Sequence, residues 1–432
     1  MKTLGFVFSC LIALSTNVKA AGGYFSLGYG HISKQTSGAV TAVAGDVYAG
    51  ASNPAKLTTV GNQFEAGIEF FNPHRRVTRT GATGSSAIYN FSSKSKNSLF
   101  LIPEFAYSRQ INDKYTIGIS AYANGGLNSE YTTTTDIPGT NGNPGACGTK
   151  PGNFFLGCDE AGFDLMQLIV APTIAWEFTP GHSIGVAPLF ALQRFEAYGL
   201  HAFAPLSQFP TKFTNNGHDI ALGAGVRVGW YGEVSPWLSL GVAYSSKIYM
   251  QEFDKYKGLF AEGSFDIPEN YSIGVAIKPN KEWMIALDVQ RIEFSEVKSL
   301  GNSLLNSLTP GSPLIGSADG SGFGWQRNQT NYRLGLTYHA SPRLTLRAGY
   351  AYGQRPNDND INATSFSMLT PNPIHNASLG LSWKTKRGNQ LHVGFEHYFR
   401  GEYSGPSALF PGSTESLVPY VNILHIAWTM AL

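Results

Sequence analysis

The sequence predicts an all-β fold, a transmembrane barrel of fourteen antiparallel strands, from three observations. Stretches of about ten residues alternate apolar with small or polar side chains, as outer-membrane strands do. Tight turns and long polar connections follow one another in strict alternation. The chain is also poor in charge, 14%, and rich in glycine and aromatic residues, with 49 Gly, 21 Tyr and 27 Phe. A period of two marks a strand that separates two different environments. For an outer-membrane barrel these are lipid outside and a polar lumen within.

The chain opens on MKTLGFVFSCLIALSTNVKA, a charged start, an apolar run from Leu4 to Leu14 and the small-x-small site Val18-Lys19-Ala20. The run is shorter than the roughly 20 residues a membrane helix needs. Residues 1–20 therefore read as a secretory signal peptide cut after Ala20. Cys10 lies inside the apolar run rather than after it, which disfavours a lipoprotein. Removing Lys2 and Lys19 with the leader leaves 29 basic residues against 29 acidic ones. A near-neutral mature chain excludes an electrostatic nucleic-acid binder. Cys147 and Cys158 then remain across CGTKPGNFFLGC, and in an oxidising compartment they predict a disulfide that staples a loop. No second Cys/His pair stands nearby, so a zinc site there is disfavoured.

The strands follow from the alternation. In HDIALGAGVRVGWYG, the series Ile220, Leu222, Ala224, Val226, Val228 and Trp230 faces one side, and Ala221, Gly223, Gly225, Arg227 and Gly229 the other. The same holds at Leu238 to Tyr244, Tyr332 to Tyr338, Leu344 to Tyr352 and Leu424 to Leu432. Tyrosines and tryptophans near strand ends suit interfacial girdles. Tight turns recur at QINDKY, TPGH, EVSP, KPNKE, HASPR and KRGN. Long links lie near 80–97, 132–162, 200–217, 253–262, 299–323, 354–371 and 405–417. Six short and seven long connections join fourteen strands, an even number that returns the C-terminus to the periplasmic side. The chain ends HIAWTMAL, so Leu432 stands where many such barrels end in an aromatic residue. Arg227, Arg333, Arg347, Asp288 and Glu396 fall on lumen parity, where charges are tolerated and pairs can tie a plug to the wall.

Residues 21–60 do not alternate. Their Gly- and Ala-rich composition fits either a disordered tail or a plug inside the lumen. In ASNPAKL, Pro54 fixes its own φ and pushes Asn53 out of the helical region, making a rigid corner that a disordered tail does not need.

At this corner the sequence resembles a family. GASNPAKLTTVGNQFEAGIEFFNP is similar to the hatch and first strand of the FadL/TodX family, outer-membrane transporters of long-chain fatty acids and hydrocarbons. TIGISAYANGGLNSEY, DIPENYSIGVAIKPNKEWMIALDVQ and NYRLGLTYHASPRLTLRAGYAY continue the likeness over essentially the whole mature chain. The resemblance implies a fourteen-stranded barrel over residues 61–432, plugged by an N-terminal hatch over 21–60 with Asn53, Pro54 and Ala55 at its corner. It implies passive uptake: capture by extracellular loops, binding against the hatch and lateral release through a strand kink. The matching kink is Asn124-Gly125-Gly126, where two glycines inside a strand already predict a bulge or bend. Capture falls to Phe203, Leu206, Phe209 and Phe213, with Leu259 and Phe260 beside them, since an exposed apolar patch marks a binding site. Arg327 lies near a position where fatty-acid transporters carry a carboxylate-binding residue. A second such residue has no counterpart, Arg194 being displaced, which keeps uncharged hydrocarbons open as substrates.

The expected partners are a hydrophobic small molecule, outer-membrane lipid and lipopolysaccharide, and one chain suffices to close the barrel as a monomer. No enzyme is expected. There is no nucleophile elbow, and HVGFEHYF lacks zinc-protease spacing, so His392 reads as a luminal residue and neither metal nor cofactor is expected. The oxygen-rich DNDIN at 358–362 reads as solvated loop. A receptor or adhesin using the Cys147–Cys158 loop, or a non-specific porin, are the alternatives.

Overall fold

A computed structural model describes residues 23–132, 147, 150–356 and 375–432. The signal peptide and DNDIN lie outside the described residues. The wall strands are β1 (Gln63–Thr80), β2 (Phe100–Gln110), β3 (Tyr115–Tyr131), β4 (Ala161–Thr179), β5 (His182–Tyr198), β6 (Asp219–Ser235) and β7 (Leu238–Ser245). They continue as β8 (Asn270–Ile277), β9 (Trp283–Ile292), β10 (Gln329–Ser341), β11 (Leu344–Gly353), β12 (His375–Lys384), β13 (Gln390–Tyr398) and β14 (Thr414–Ala431). Each pairs antiparallel with its chain neighbours, and β1 pairs with β14 from Gln63↔Ala431 to Thr80↔Thr414, which closes the ring. Three short strands, Phe91–Lys94, Tyr249–Met250 and Tyr403–Pro406, extend the sheet within long connections.

Alternation sets the two faces. On β6, Ile220, Leu222, Val226 and Val228 are exposed toward lipid while Ala221, Arg227 and Tyr231 are buried. On β14, Leu424, Ile426 and Trp428 are exposed, and Ile423, His425 and Ala427 buried. No helix among the described residues is long and apolar enough to cross a membrane, and the strands do so instead.

The inner face is covered by the N-terminal segment. Helix α1 (Gly30–Gln35) is wholly buried. Two 3₁₀ turns follow, Ala49–Ala51 and Pro54–Thr59, the second packing against β4, β5 and β6. At the loop end, Arg79 binds Glu415 at 2.7 Å with both side chains fully buried, and its guanidinium lies 4.2 Å from the Phe410 ring. A disulfide joins Cys147 and Cys158, whose Cα atoms are 5.4 Å apart.

Candidate functional site: a filled lumen and an interrupted wall

The Asn-Pro corner is a seat on the wall. Asn53 is extended, at φ −133° and ψ 104°, and Pro54 opens the 3₁₀ turn, a position that asks for no N–H. The Asn53 amide nitrogen donates to Thr41 O at 3.0 Å and to Trp230 O at 2.8 Å, and its Oδ1 accepts from Ala55 N at 3.2 Å. Two of these bonds stay within the segment, and the third, to Trp230 O, ties the fully buried amide to the wall. The wall beneath is stripped to backbone. A Cβ at Gly229 would lie 2.0 Å from Asn53 Oδ1, and one at Gly185 2.4 Å from the Pro54 carbonyl carbon.

The same device continues around the lumen. Gly185↔Gly229, Gly241↔Gly274, Gly335↔Gly349 and Gly380↔Gly394 sit opposite one another on neighbouring strands. A Cβ at Gly241 would come within 2.1 Å of Thr41 O, at Gly349 within 2.2 Å of the Thr36 carbonyl carbon, and at Gly380 within 2.2 Å of Gln35 Cγ. These glycines let the segment approach the backbone closely.

Polar side chains on the inner face hold what the glycines seat. Arg227 donates to Gly50 O at 2.9 Å and to the Tyr122 hydroxyl at 3.0 Å. Arg333 donates to Gly38 O at 3.1 Å, and Arg347 to Gln35 Oε1 at 3.0 Å. The Asp288 carboxylate accepts from the backbone N–H of Val40 and Thr41 at 2.9 and 2.8 Å. These four residues grip backbone and amide groups of the segment rather than countercharges on it. Glu396 is buried too, but its contact is with Asn376 of the wall, at 3.4 Å.

The ion pairs between segment and wall come from residues the sequence reading passed over. Lys34 Nζ is 2.6 Å from Glu69 of β1 and 2.9 Å from Glu104 of β2. His31 Nδ1 is 2.7 Å from Glu65 Oε2. Burial disfavours the charged form of the His31 imidazole, so this contact is a buried hydrogen bond rather than a full ion pair. A signal existed: in QFEAGIEF, Glu65 and Glu69 alternate against Phe64, Ile68 and Phe70, placing two acids on one inner face.

The wall is interrupted at the double glycine. Pairing of β2 with β3 runs from Gln110↔Thr116 to Phe105↔Ala121 and ends there, although β2 continues to pair with β1 as far as Phe71↔Phe100. Beyond Ala121, β3 bulges against β4 between Ala123 and Gly125. Its freed edge takes the N-terminal segment instead: Ser26 N donates to Asn124 O at 3.0 Å, and Gly126 N to Tyr24 O at 3.2 Å. A Cβ at Gly125 would lie 1.9 Å from Tyr24 O. Tyr29 OH caps Asn124 Oδ1 at 3.0 Å, and Asn124 Nδ2 donates to Gln167 at 3.0 Å. The far end is closed by Ser95↔Tyr131, leaving the interruption flanked on both sides.

Tyr24 and Phe25, which occupy this edge, lead into an aromatic cluster. Tyr24 lies 5.5 Å from Phe294, 5.9 Å from Phe265 and 5.9 Å from Trp325, ring centre to ring centre. Above it, the loop residues depart from the exposed patch expected of them. Phe203, Phe213, Leu259 and Phe260 are buried and Leu206 is partly so, while Phe209 is 38% exposed. The reason is loop-on-loop packing: Gln208 N donates to Ile315 O and Gly258 N to Lys212 O, each at 2.9 Å, so three connections cover one another. Arg327 is exposed, its backbone N–H bonded to Pro356 O at 2.9 Å. Arg194 pairs with Asp164 at 2.9 Å.

A closed ring with an even number of antiparallel strands, an apolar outer face and a lumen filled by its own N-terminal segment defines an outer-membrane barrel. The chain belongs to the outer membrane protein transport family (OMPP1/FadL/TodX), whose profile matches residues 15–404. It is thus a transport protein of the Gram-negative outer membrane and not an enzyme. The fold is shared with the P. putida toluene transporter TodX, at TM-score 0.67 and 16% identity over 94% of this chain and 99% of that one. A Pseudomonas aeruginosa FadL homologue gives TM-score 0.67 and 14% identity over 96% and 100%. The Ralstonia pickettii toluene transporter TbuX gives TM-score 0.60 and 15% identity over 94% and 99%. No curated protein matches the sequence.

Proposed function

We propose that the protein carries uncharged hydrophobic small molecules passively from the cell exterior into the outer membrane. Residues 21–60 serve as the hatch, with Asn53, Pro54 and Ala55 as its fixed corner. The extracellular cap around Phe209 captures the ligand, and the interruption between β2 and β3 releases it sideways. The observation that carries this reading is the end of β2–β3 pairing at Phe105↔Ala121, in a wall whose other seams are laddered. An interruption at membrane depth is tolerated only where something covers the bare backbone, and here Tyr24 to Ser26 supply the cover. Moving that short strand uncovers a route from the aromatic cluster to lipid. No energy source is required, because each CH₂ leaving water gains about 0.8 kcal/mol.

Two features favour hydrocarbons over fatty acids. The cluster at the interruption is aromatic, built on Tyr24, Phe25, Phe294 and Trp325. Arg327, the residue expected to meet a carboxylate, is exposed rather than enclosed in it. TodX and TbuX, which share the fold, are toluene transporters.

The test is uptake of labelled toluene, a medium alkane and oleate by cells lacking the native protein, complemented with wild type or with Gly125→Val/Gly126→Val. Restored toluene or alkane uptake that the double variant loses, while still reaching the outer membrane, supports the reading. Oleate uptake alone overturns the hydrocarbon preference. Uptake of nothing hydrophobic, or steady ion conduction in planar bilayers, would favour a receptor or a porin.

A further inference from the structure

Outside the transport route, the outward face of the extracellular rim carries charge that the wall does not neutralise. The connection after β1 folds back as the short strand Phe91–Lys94, which pairs with β1 from Arg79↔Phe91 to Arg76↔Lys94. Alternation turns Phe91, Ser93, Arg75 and Arg79 inward, and Ser92, Lys94 and Arg76 outward. Arg76 and Lys94 are therefore exposed on one face and directly opposite each other, their Cβ atoms roughly 5 Å apart. Like charges so placed destabilise a strand pair. Among the described residues neither cation has an acidic partner. Glu415 is buried on the inner side against Arg79, and the exposed Glu402 is balanced by Arg400 two residues before it.

The rim over β3 to β5 shows the contrast. There Glu130 and Glu160 meet Lys96, Asp164 meets Arg194 at 2.9 Å and His218 at 2.8 Å, and Glu196 meets His218 at 3.2 Å. The unmatched pair marks one sector, over β1, and below it the outward face descends in polarity. His74 stacks on Tyr420 with ring centres 4.4 Å apart, and Asn72 lies opposite Asn422. Next comes an apolar row, Leu101, Phe70, Leu424, Phe395 and Leu379, one residue from each of five neighbouring strands. Arg76 stands about 20 Å along the strand from Phe70. A ligand that fits has acyl chains for the apolar row and a polar body for the Asn, His and Tyr step. Its phosphate must stand well above the hydrocarbon. A phospholipid holds its phosphate at the hydrocarbon edge, whereas a phosphorylated glycolipid carries it on sugars that rise above that edge.

We infer that Arg76 and Lys94 bind a phosphate of lipopolysaccharide in the outer leaflet. The hydroxyls of Thr78 and Ser92, paired at 3.3 Å beside them, offer further hydrogen bonds. Arginine presents a planar fork to phosphate and lysine a point charge. A phosphate between them cancels the repulsion across the strand pair and fastens the short strand to β1. Ser95, which follows Lys94, bridges Tyr131 at the far end of the wall interruption, so the glycolipid sits on the lip of that gap. The inference rests on the outer-membrane location and not on which molecule is transported.

The experiment uses the whole mature barrel, extracted from outer membranes into mild detergent. Native mass spectrometry of the wild type is expected to show retained lipopolysaccharide. Arg76→Gln/Lys94→Gln should reduce that retention at least ~10-fold, and Lys281→Gln, at an exposed periplasmic turn, should not change it. Delipidated wild type is then offered lipopolysaccharide, the same lipid stripped of its phosphates, or phosphatidylglycerol. The intact glycolipid should bind at least ~10-fold more tightly than either, an advantage that high salt diminishes. These arms use wild-type protein and decide the matter even where the double variant fails to assemble. Equal retention by the double variant, an equal loss in Lys281→Gln, or equal binding of the dephosphorylated lipid would overturn the site. Phosphatidylglycerol binding as tightly as lipopolysaccharide would overturn the choice of ligand.

Discussion

β1 and β3 each border a seam next to the start of the barrel, and the two seams differ sharply. Between β1 and β14 the register holds without a break over all 18 residues of β1. Between β2 and β3 it lasts from Gln110↔Thr116 to Phe105↔Ala121 and then stops. Alternation does not distinguish them, since Leu127 and Tyr131 beyond the break are as deeply buried as Ile423 and Ala427 on the intact seam. What differs is backbone chemistry. β3 carries Asn124-Gly125-Gly126 at the break, and β2 carries Pro103, which has no N–H to offer, on the stretch that has lost β3. The intact seam has its glycine too, at Gly67 opposite Ala427, but a Cβ there would meet Ala427 Cβ at a tight 3.1 Å, against 1.9 Å from Tyr24 O at Gly125. The interruption is thus written in the residues that decline to pair, and it persists because another piece of the chain pairs in their place.

The comparison can be broken at several points. Lys34 spans Glu69 and Glu104, which sit on β1 and β2 beside the open seam. Lys34→Met leaves two buried carboxylates without their cation and should cost about 3–5 kcal/mol. The loss is read as the urea concentration at which the N-terminal segment becomes accessible to protease in detergent. Unchanged protection would mean that the glycine seat and the contacts from Arg227, Arg333, Arg347 and Asp288 hold the segment without this ion pair. Gly125→Val drives a side chain into Tyr24 O and should reduce hydrophobe uptake by about tenfold, an effect of roughly 1.4 kcal/mol, with barrel assembly intact. Wild-type uptake in that variant would show that the exit lies elsewhere.

Smaller effects sharpen the contrast. Tyr29→Phe removes the hydroxyl that caps Asn124 and should loosen the covering strand by about 1 kcal/mol. Amide exchange at Ser26 and Gly126 is the appropriate readout, with faster exchange expected at both. On the intact seam, Gly67→Ala adds a methyl 3.1 Å from Ala427 Cβ, and its expected change in uptake is below twofold. A large loss there would remove the distinction between the seams.

Much of this architecture was legible because a membrane wall has a simple code. Ile220, Leu222 and Val226 alternate against Ala221 and Arg227 since lipid and lumen impose opposite demands on successive residues. The tight turns were legible from their Asn, Pro and Gly content, and Asn53-Pro54 announced a corner before anything showed where it sat. The loop residues were misjudged for a physical reason. Phe203, Phe213 and Phe260 carry no mark that says whether an apolar loop side chain faces water or another loop, and three loops folding over one another bury them. His31 and Lys34 were missed because α1 has six residues and no amphipathic pattern, every one of them being buried.

The sequence by itself therefore determined the strand count, the inward and outward faces, the position of the double glycine and the rigid corner, since each rests on the chemistry of adjacent residues. Only the tertiary structure decided that Gly185, Gly229 and Gly241 are a seat and that Lys34 closes onto Glu69 and Glu104. It alone placed Tyr24 to Ser26 along the edge that β2 leaves bare. Those contacts join residues up to hundreds of positions apart. Closure of the ring sets such distances, and no local pattern encodes them.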